Sequence, residues 1–328
     1  MHQILHPKGF NKILVMWAMW GVAGALLAPT ASHAQFGRAE FSDAGDFSES
    51  TIMRGVRATQ AQCEAAANTV WAATASSGTE CIKYWKAGFS DQPVKRAIVF
   101  FHGDIFVGVG KTSRTYLDLD NARLQKNAED WARWLGMPYI FIGRPGTHGS
   151  SGDHMQRRRI DESVIISAAL DEIKKRHGIE EWVITGQSGG GHVTSSLITE
   201  RADIVCAIPT SAPSSPRIRW EMMGRSKDTT NYADSYEPWK FVAKEKVNPK
   251  LRVFVLGNPN DKNVFWPSQT VMADALQKAQ IPVQVLQGEG VGPDAHSLQN
   301  SARILAGWCA KDVGTEEMVA RAGKGLKG

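Results

Sequence analysis

Short, almost uninterrupted apolar runs recur along the chain, separated by longer stretches in which apolar residues return every three or four positions. Arg96 to Phe101, Pro138 to Ile142, Ile204 to Ile208, Leu251 to Leu256 and Val283 to Gln287 have the length and continuity of strands covered on both faces. Another such run, from Val183, leads into a glycine-rich turn, and Glu80 to Trp85 reads as a strand nearer the amino terminus. The intervening periodicity predicts helices at Thr59–Thr74, Asn121–Leu135, Ile160–Arg176 (stopped by Gly178), Thr194–Thr199, Ser268–Ala279 and Ser297–Ala310. Strands alternating with helices imply an α/β class: a mostly parallel central sheet with helices on both faces. The segment 212–250, rich in Pro, Trp, Met and Tyr, breaks the rhythm. It is too short for a core of its own and reads as a cap inserted over the sheet edge. Residues 35–79 form an N-terminal lead-in, polar and rich in Gly, Ser and Asp as far as Ala58.

The first 34 residues have the layout of a signal peptide. Lys8 and Lys12 precede an apolar run from Ile13 to Ala28, and Ser32-His33-Ala34 supplies small residues before Gln35. Gly21 and Gly24 interrupt a run already short for a membrane span, so the expectation is export to the periplasm or medium, with no stable membrane anchor after cleavage. The 38 Lys and Arg against 33 Asp and Glu give a net charge of +5, and two of those lysines leave with the leader. No dense basic stripe remains, which argues against a nucleic-acid partner. The run Arg157-Arg158-Arg159 is expected to open a helix or to pair with Asp161 and Glu162. Four cysteines in an exported chain invite pairing. Cys63 with Cys81 is the expected bridge; Cys206 and Cys309 form a second, or Cys206 is a small buried apolar residue. None has metal-ligand spacing.

The chemistry concentrates at Val183-Ile184-Thr185-Gly186-Gln187-Ser188-Gly189-Gly190-Gly191-His192. An apolar strand end, a serine between glycines at G-x-S-x-G spacing and a following helix together define a nucleophile elbow. Such a turn is strained, and only small neighbours let strand and helix approach so closely. A serine hydroxyl needs a base, and the base an orienting acid. Asp261 follows the strand ending at Leu256 and His296 follows the strand ending at Gln287, so both belong on the rim that carries Ser188. Asp294 is a rival acid. His192, four residues after Ser188, reads as a packed helical side chain. His148 and His154 match no recognised metal-ligand spacing, and the loop Gly149-Ser150-Ser151-Gly152 lacks the G-K-[ST] of a phosphate-binding loop.

On Gly186-Gln187-Ser188-Gly189-Gly190, the His102-Gly103 pair, Asp261 and His296, the stretch from Glu80 to Ala310 resembles the α/β-hydrolase superfamily. The resemblance implies an α/β-hydrolase fold over 80–328, Ser188 as nucleophile, His296 as base and then acid, and Asp261 fixing the imidazole tautomer. It implies an oxyanion hole from the backbone N–H of Gly189 and of Asp104, with Ile105 as the alternative donor. A carboxylate at position 104 must then turn away or find a cation. No cofactor and no metal is implied. The expected activity is that of an exported carboxylesterase acting on a small-molecule ester. The alternatives are a peptidase or amidase similar to the prolyl-oligopeptidase branch, on Arg144-Pro145-Gly146 and the glycines after it, and a non-enzymatic binding protein on the same scaffold. Trp220 and Met223 of the insertion are the expected substrate-binding residues, and Arg217, Arg219 and Arg225 are candidates to draw in a substrate carboxylate.

Overall fold

The computed structural model describes residues 37–107 and 111–327; the leader expected at 1–34 lies outside them. Eight strands make one sheet. They are β1 (Thr69–Thr74), β2 (Gly78–Ala87), β3 (Val94–Phe101), β4 (Tyr139–Ile142), β5 (Ile179–Gln187), β6 (Ile204–Thr210), β7 (Arg252–Gly257) and β8 (Val283–Gln287). Their spatial order is β8-β7-β6-β5-β3-β4-β2-β1. Every adjacent pair is parallel except the two that β2 makes, with β1 and with β4. The main helices are α1 (Asn121–Leu135), α2 (Ile160–His177), α3 (Gly189–Ile198), α4 (Pro216–Met222), α5 (Trp266–Lys278), α6 (Gln299–Ala310) and α7 (Thr315–Ala322).

The continuous apolar strands are explained by two cores, one on each face. In β3, Ala97, Val99 and Phe101 enter the core beneath α2, α3 and α5, whereas Ile98 and Phe100 enter the core beneath α1, α6 and α7. Side chains that alternate across a pleat must therefore be apolar at every position. Helix ends follow their local signals. Asp120 caps α1 by accepting from Arg123 N–H at 2.7 Å, and the left-handed Gly136 closes it. Gly178, at φ 60°, ends α2 one residue beyond the expected boundary.

Three local expectations are corrected. The stretch 59–74 is not one helix: a short helix, Gln60–Ala65, stops early and β1 follows. The Thr69 hydroxyl donates to the carbonyls of Cys63 and Ala66 at the helix end, and Thr69-Val70-Trp71 then pairs with β2. Sheet pairing here overrides a weak helical pattern. Helix α3 begins at Gly189, five residues before Thr194, where Gly186 and Gly190 let the strand and helix backbones approach closely. The arginine run opens a helix as expected, with Arg159 at the N-cap of α2 and Arg158 N–H donating to Glu162 at 2.7 Å. Its side chains do not pair with Asp161: Arg157 and Arg158 bind Asp104, Arg158 also binds Asp228, and Arg159 binds Asp234. Cys63 is bridged to Cys81 as expected, and Cys206 to Cys309. Separations of 18 and 103 residues correspond to about 3 and about 5 kcal/mol in the chain-entropy model. The second bridge ties β6 to α6. Among the described residues, no helix is long and apolar enough to cross a membrane.

Candidate active site

The carboxyl ends of β3, β5, β7 and β8 open onto one rim, where the candidate residues gather. Strand β5 ends at Gln187, and Ser188 then adopts φ 56°, ψ −120°, a conformation costly for a residue with a Cβ. Its N–H donates to Thr210 O at 2.9 Å, which holds the turn against β6. A Cβ on Gly190 would lie 2.1 Å from Phe101 O, and one on Gly186 would lie 2.3 Å from Gly190 O. Both glycines are thus required by backbone approach. The same closeness lets α3 start directly after Ser188 despite three successive glycines, which are poor helix formers. Ser188 stays half-buried, at the edge of a cavity of about 540 Å³ that His296 also lines.

Asp261 is buried and fully bonded. Its Oδ1 accepts from the N–H groups of Asn263 and Val264 at 2.8 and 3.0 Å; its Oδ2 lies 2.6 Å from His296 Nδ1 and accepts from Gln269 Nε2 at 3.3 Å. An ionised carboxylate only accepts, so His296 offers it Nδ1–H, which in the neutral imidazole leaves the lone pair at Nε2. That Nε2 is buried and has no hydrogen-bond partner among the described residues. The loop bearing His296 is held from two sides. Gln187 donates to His296 O at 3.0 Å and accepts from Leu298 N–H at 2.9 Å, and Asn258 donates to Ala295 O at 2.7 Å. Sequence reading missed Gln187, Asn258 and Gln269 in this role. Only Gln187 carried a signal, as the residue next to Ser188 inside the elbow. Asp294 is exposed, and its carbonyl accepts from Lys262 N–H at 2.9 Å. His192 is buried in α3, and its Nε2 donates to Tyr236 O at 2.9 Å.

Beside Ser188 sits a buried cluster of charges. Asp104 meets Arg144 at 3.0 Å and Arg157 at 3.1 Å, and also binds Arg158. Arg144 pairs with Glu162 at 2.7 Å, and Arg158 with Asp228. Burial alone would raise the Asp104 carboxyl; the Arg158, Arg157 and Arg144 guanidiniums overcome that and hold it well below the usual carboxylate range. A Cβ on Gly189 would fall 2.0 Å from Asp104 Oδ1, so only glycine fits where this carboxylate folds toward its cations. Among the described residues, the N–H groups of Asp104 and Gly189 have no acceptor. His102 supports the loop: its Nδ1 donates to Gly103 O at 2.7 Å, and its Nε2 accepts from Arg144 N–H at 3.2 Å. His102, His148 and His154 are all buried, and burial pushes each well below the ordinary imidazole value.

The segment 212–250 contributes Arg219, Met223 and Arg225 to the cavity wall. Trp220 is not part of that wall; it is buried on α4. Arg217 is exposed, paired with Glu221 at 2.7 Å one turn along the helix, and likewise absent from the cavity.

Strand order, the elbow after β5 and an acid and a histidine after β7 and β8 define the α/β-hydrolase fold. No family model and no curated protein matches the chain. Among solved structures it is similar to Est1E from Butyrivibrio proteoclasticus with bound ferulic acid, at a TM-score of 0.51 and 16% identity, over 76% of this chain and 99% of that one. It also matches an alpha/beta hydrolase domain-containing protein 10 from mouse, with a TM-score of 0.48 and 15% identity, over 75% of this chain and 97% of that one. The acylaminoacyl peptidase of Pyrococcus horikoshii matches at a TM-score of 0.49 and 13% identity, over 73% of this chain. The chain spans 40% of the length of that peptidase and 36% of another acylaminoacyl peptidase.

Proposed function

We propose that this protein is an exported serine hydrolase that cleaves a carboxylic ester through an acyl-enzyme. The observation carrying the reading is the buried Asp261–His296 pair at 2.6 Å, whose unpartnered Nε2 shares a cavity with the strained Ser188. In this reading His296 Nε2 takes the Ser188 proton as Oγ attacks the ester carbonyl. The oxyanion receives hydrogen bonds from the N–H groups of Gly189 and Asp104. His296 then protonates the departing alcohol, and water repeats the cycle on the acyl-enzyme. Engagement of the Asp104 carboxylate by three arginines supports using its N–H, because the local negative charge is compensated. Residues 212–250 serve as a short cap, with Met223 as an adaptable apolar contact. A cavity of about 540 Å³ suits compact or aromatic esters better than long-chain triglycerides. Ester cleavage is favoured over exopeptidase activity by the charge of the wall: Arg157 and Arg158 are balanced by Asp104 and Asp228, but Arg219, Arg225 and Lys262 outnumber Asp294, which is unfavourable for a substrate's free ammonium. An exopeptidase would also need paired carboxylates for that ammonium; the adjacent Glu180 and Glu181 lie at the opposite end of β5, and Glu181 is committed to Arg96. The two disulfides support export.

Labelling with a fluorophosphonate, followed by turnover of a panel of 4-nitrophenyl esters and aminoacyl arylamides, tests the proposal. Wild type should label and hydrolyse the esters, and Ser188→Ala should do neither while keeping its thermal midpoint. Full hydrolysis by Ser188→Ala would refute the mechanism, and arylamides outpacing esters would move the activity to the amidase alternative.

A further inference from the structure

The charges around the cavity do not balance, and the imbalance has a definite location. The inner cluster is neutral: Arg144, Arg157 and Arg158 face Asp104, Glu162 and Asp228. What remains on the wall is Arg219, Arg225 and Lys262 against Asp294. Among the described residues, none of the three cations makes an ion pair. Arg225 and Lys262 are exposed, where water solvates them, but Arg219 is half-buried. Its Nε donates to Asn263 O at 2.9 Å and its Nη2 to Asn263 Oδ1 at 2.6 Å, both neutral acceptors. Burial, and after it the nearby Arg158 charge, lower Arg219 to about 10 against the opposing pull of Asp228 and Asp104, so it remains a cation at neutral pH.

A partly desolvated guanidinium held by two neutral acceptors is oriented but has no carboxylate in direct contact, Asp228 and Asp104 acting on it only from a distance and being committed to other arginines. Asn263 in turn donates its N–H to Asp261 Oδ1 at 2.8 Å, so Arg219 is fixed relative to the acid of the Asp261–His296 pair. Resting on the hydrolase reading above, we propose that Arg219 is the anchor of an anion subsite and that the substrate is an ester carrying a second, ionised carboxylate. Arg225 and Lys262 at the mouth steer the anion inward, and the Arg219 fork receives it. Arg217, on the same helix but turned outward against Glu221, takes no part. The carboxylate belongs to the acyl or to the alcohol portion of the ester; the recognising chemistry is the same.

Kinetics on matched esters at low salt test this. Mono-4-nitrophenyl glutarate against 4-nitrophenyl valerate probes a carboxylate on the acyl side, and 4-acetoxybenzoate against phenyl acetate probes the alcohol side. For one of the two pairs, kcat/KM should favour the charged ester by about tenfold or more, mostly through KM, and the preference should shrink in 0.5 M salt. Arg219→Gln should collapse the ratio, Arg219→Lys should retain part of it, and Arg217→Gln should leave it as in wild type. Calorimetric binding of glutarate and of 4-hydroxybenzoate to Ser188→Ala should weaken about tenfold for one of them when Arg219→Gln is added. Equal kcat/KM within both pairs, in a protein that still labels with fluorophosphonate, would overturn the anion subsite and leave the hydrolase reading standing. Absence of labelling and turnover, with carboxylate binding still sensitive to Arg219→Gln, would overturn the hydrolase reading alone. Binding indifferent to Arg219→Gln would overturn the subsite.

Discussion

Asp104→Asn tests the charge cluster beside Ser188 most directly. The substitution preserves side-chain shape and the backbone N–H, but removes the negative charge shared by Arg144, Arg157 and Arg158. Arg144 keeps Glu162 and Arg158 keeps Asp228, so Arg157 alone is left without a carboxylate. Breaking a buried ion pair by removing one partner costs about 3–5 kcal/mol, and an asparagine that still accepts hydrogen bonds places the change near the lower figure. Against a total stability of about 5–15 kcal/mol the variant still folds. At about 2–4 °C per kcal/mol for a chain of this order of size, the thermal midpoint should fall by roughly 6–12 °C. Scanning calorimetry of the non-reduced protein measures it. Arg157→Met introduced into the same variant should restore part of the loss, with a coupling of about 1 kcal/mol or more in the double-mutant cycle. Fluorophosphonate labelling at 20 °C should change far less than the midpoint, because the main-chain donor remains. A midpoint within about 2 °C of wild type would refute the reasoning, since the carboxylate would then contribute nothing beyond its shape.

Asp261→Asn should lower kcat by about 10⁴, and Asp294→Asn by less than about tenfold; the opposite order in steady-state kinetics would transfer the orienting role to Asp294. Gln187→Ala frees both His296 O and Leu298 N–H, and should reduce kcat by roughly 10–100-fold with KM little changed; a variant that changes only KM would remove Gln187 from positioning His296. The buried His102, His148 and His154 stay neutral in the folded protein but take up protons near pH 6.5 when it unfolds. Stability is therefore full above about pH 6.5 and falls as pH drops, by about 1.4 kcal/mol per histidine one unit below, or about 4 kcal/mol for the three. Asp104 and Asp228, both held low by arginines, add a further loss below about pH 4. Urea midpoints at pH 7.5 and 5.5 check this, and a flat profile between them would contradict neutral burial of the imidazoles.

By itself the sequence determined what depends on local periodicity and local stereochemistry. Runs such as Arg96 to Phe101 have the length, continuity and β-branched and aromatic content of strands buried on both faces, and Asp120 and Gly136 bound α1 where the pattern placed it. The Gly186-Gln187-Ser188-Gly189-Gly190 spacing located the strained turn, because the requirement for missing Cβ atoms is written in residue identity. Asp261 and His296 were legible as residues following strands, since the fold class dictates which strand ends share a rim. Tertiary structure alone decided the rest. Thr69–Thr74 became a strand because β2 offered it a ladder, and α3 began at Gly189 because the backbone of β3 lies 2.1 Å from any Cβ placed on Gly190. No periodicity relates Asp104 to Arg144, Arg157 and Arg158, at separations of 40 to 54 residues. Nor does any local signal tell Arg217 from Arg219, two positions apart on one short helix. One faces solvent and Glu221, the other the cavity, and only the packing of α4 against the loop after β7 separates an ordinary surface charge from a cation held on the cavity wall.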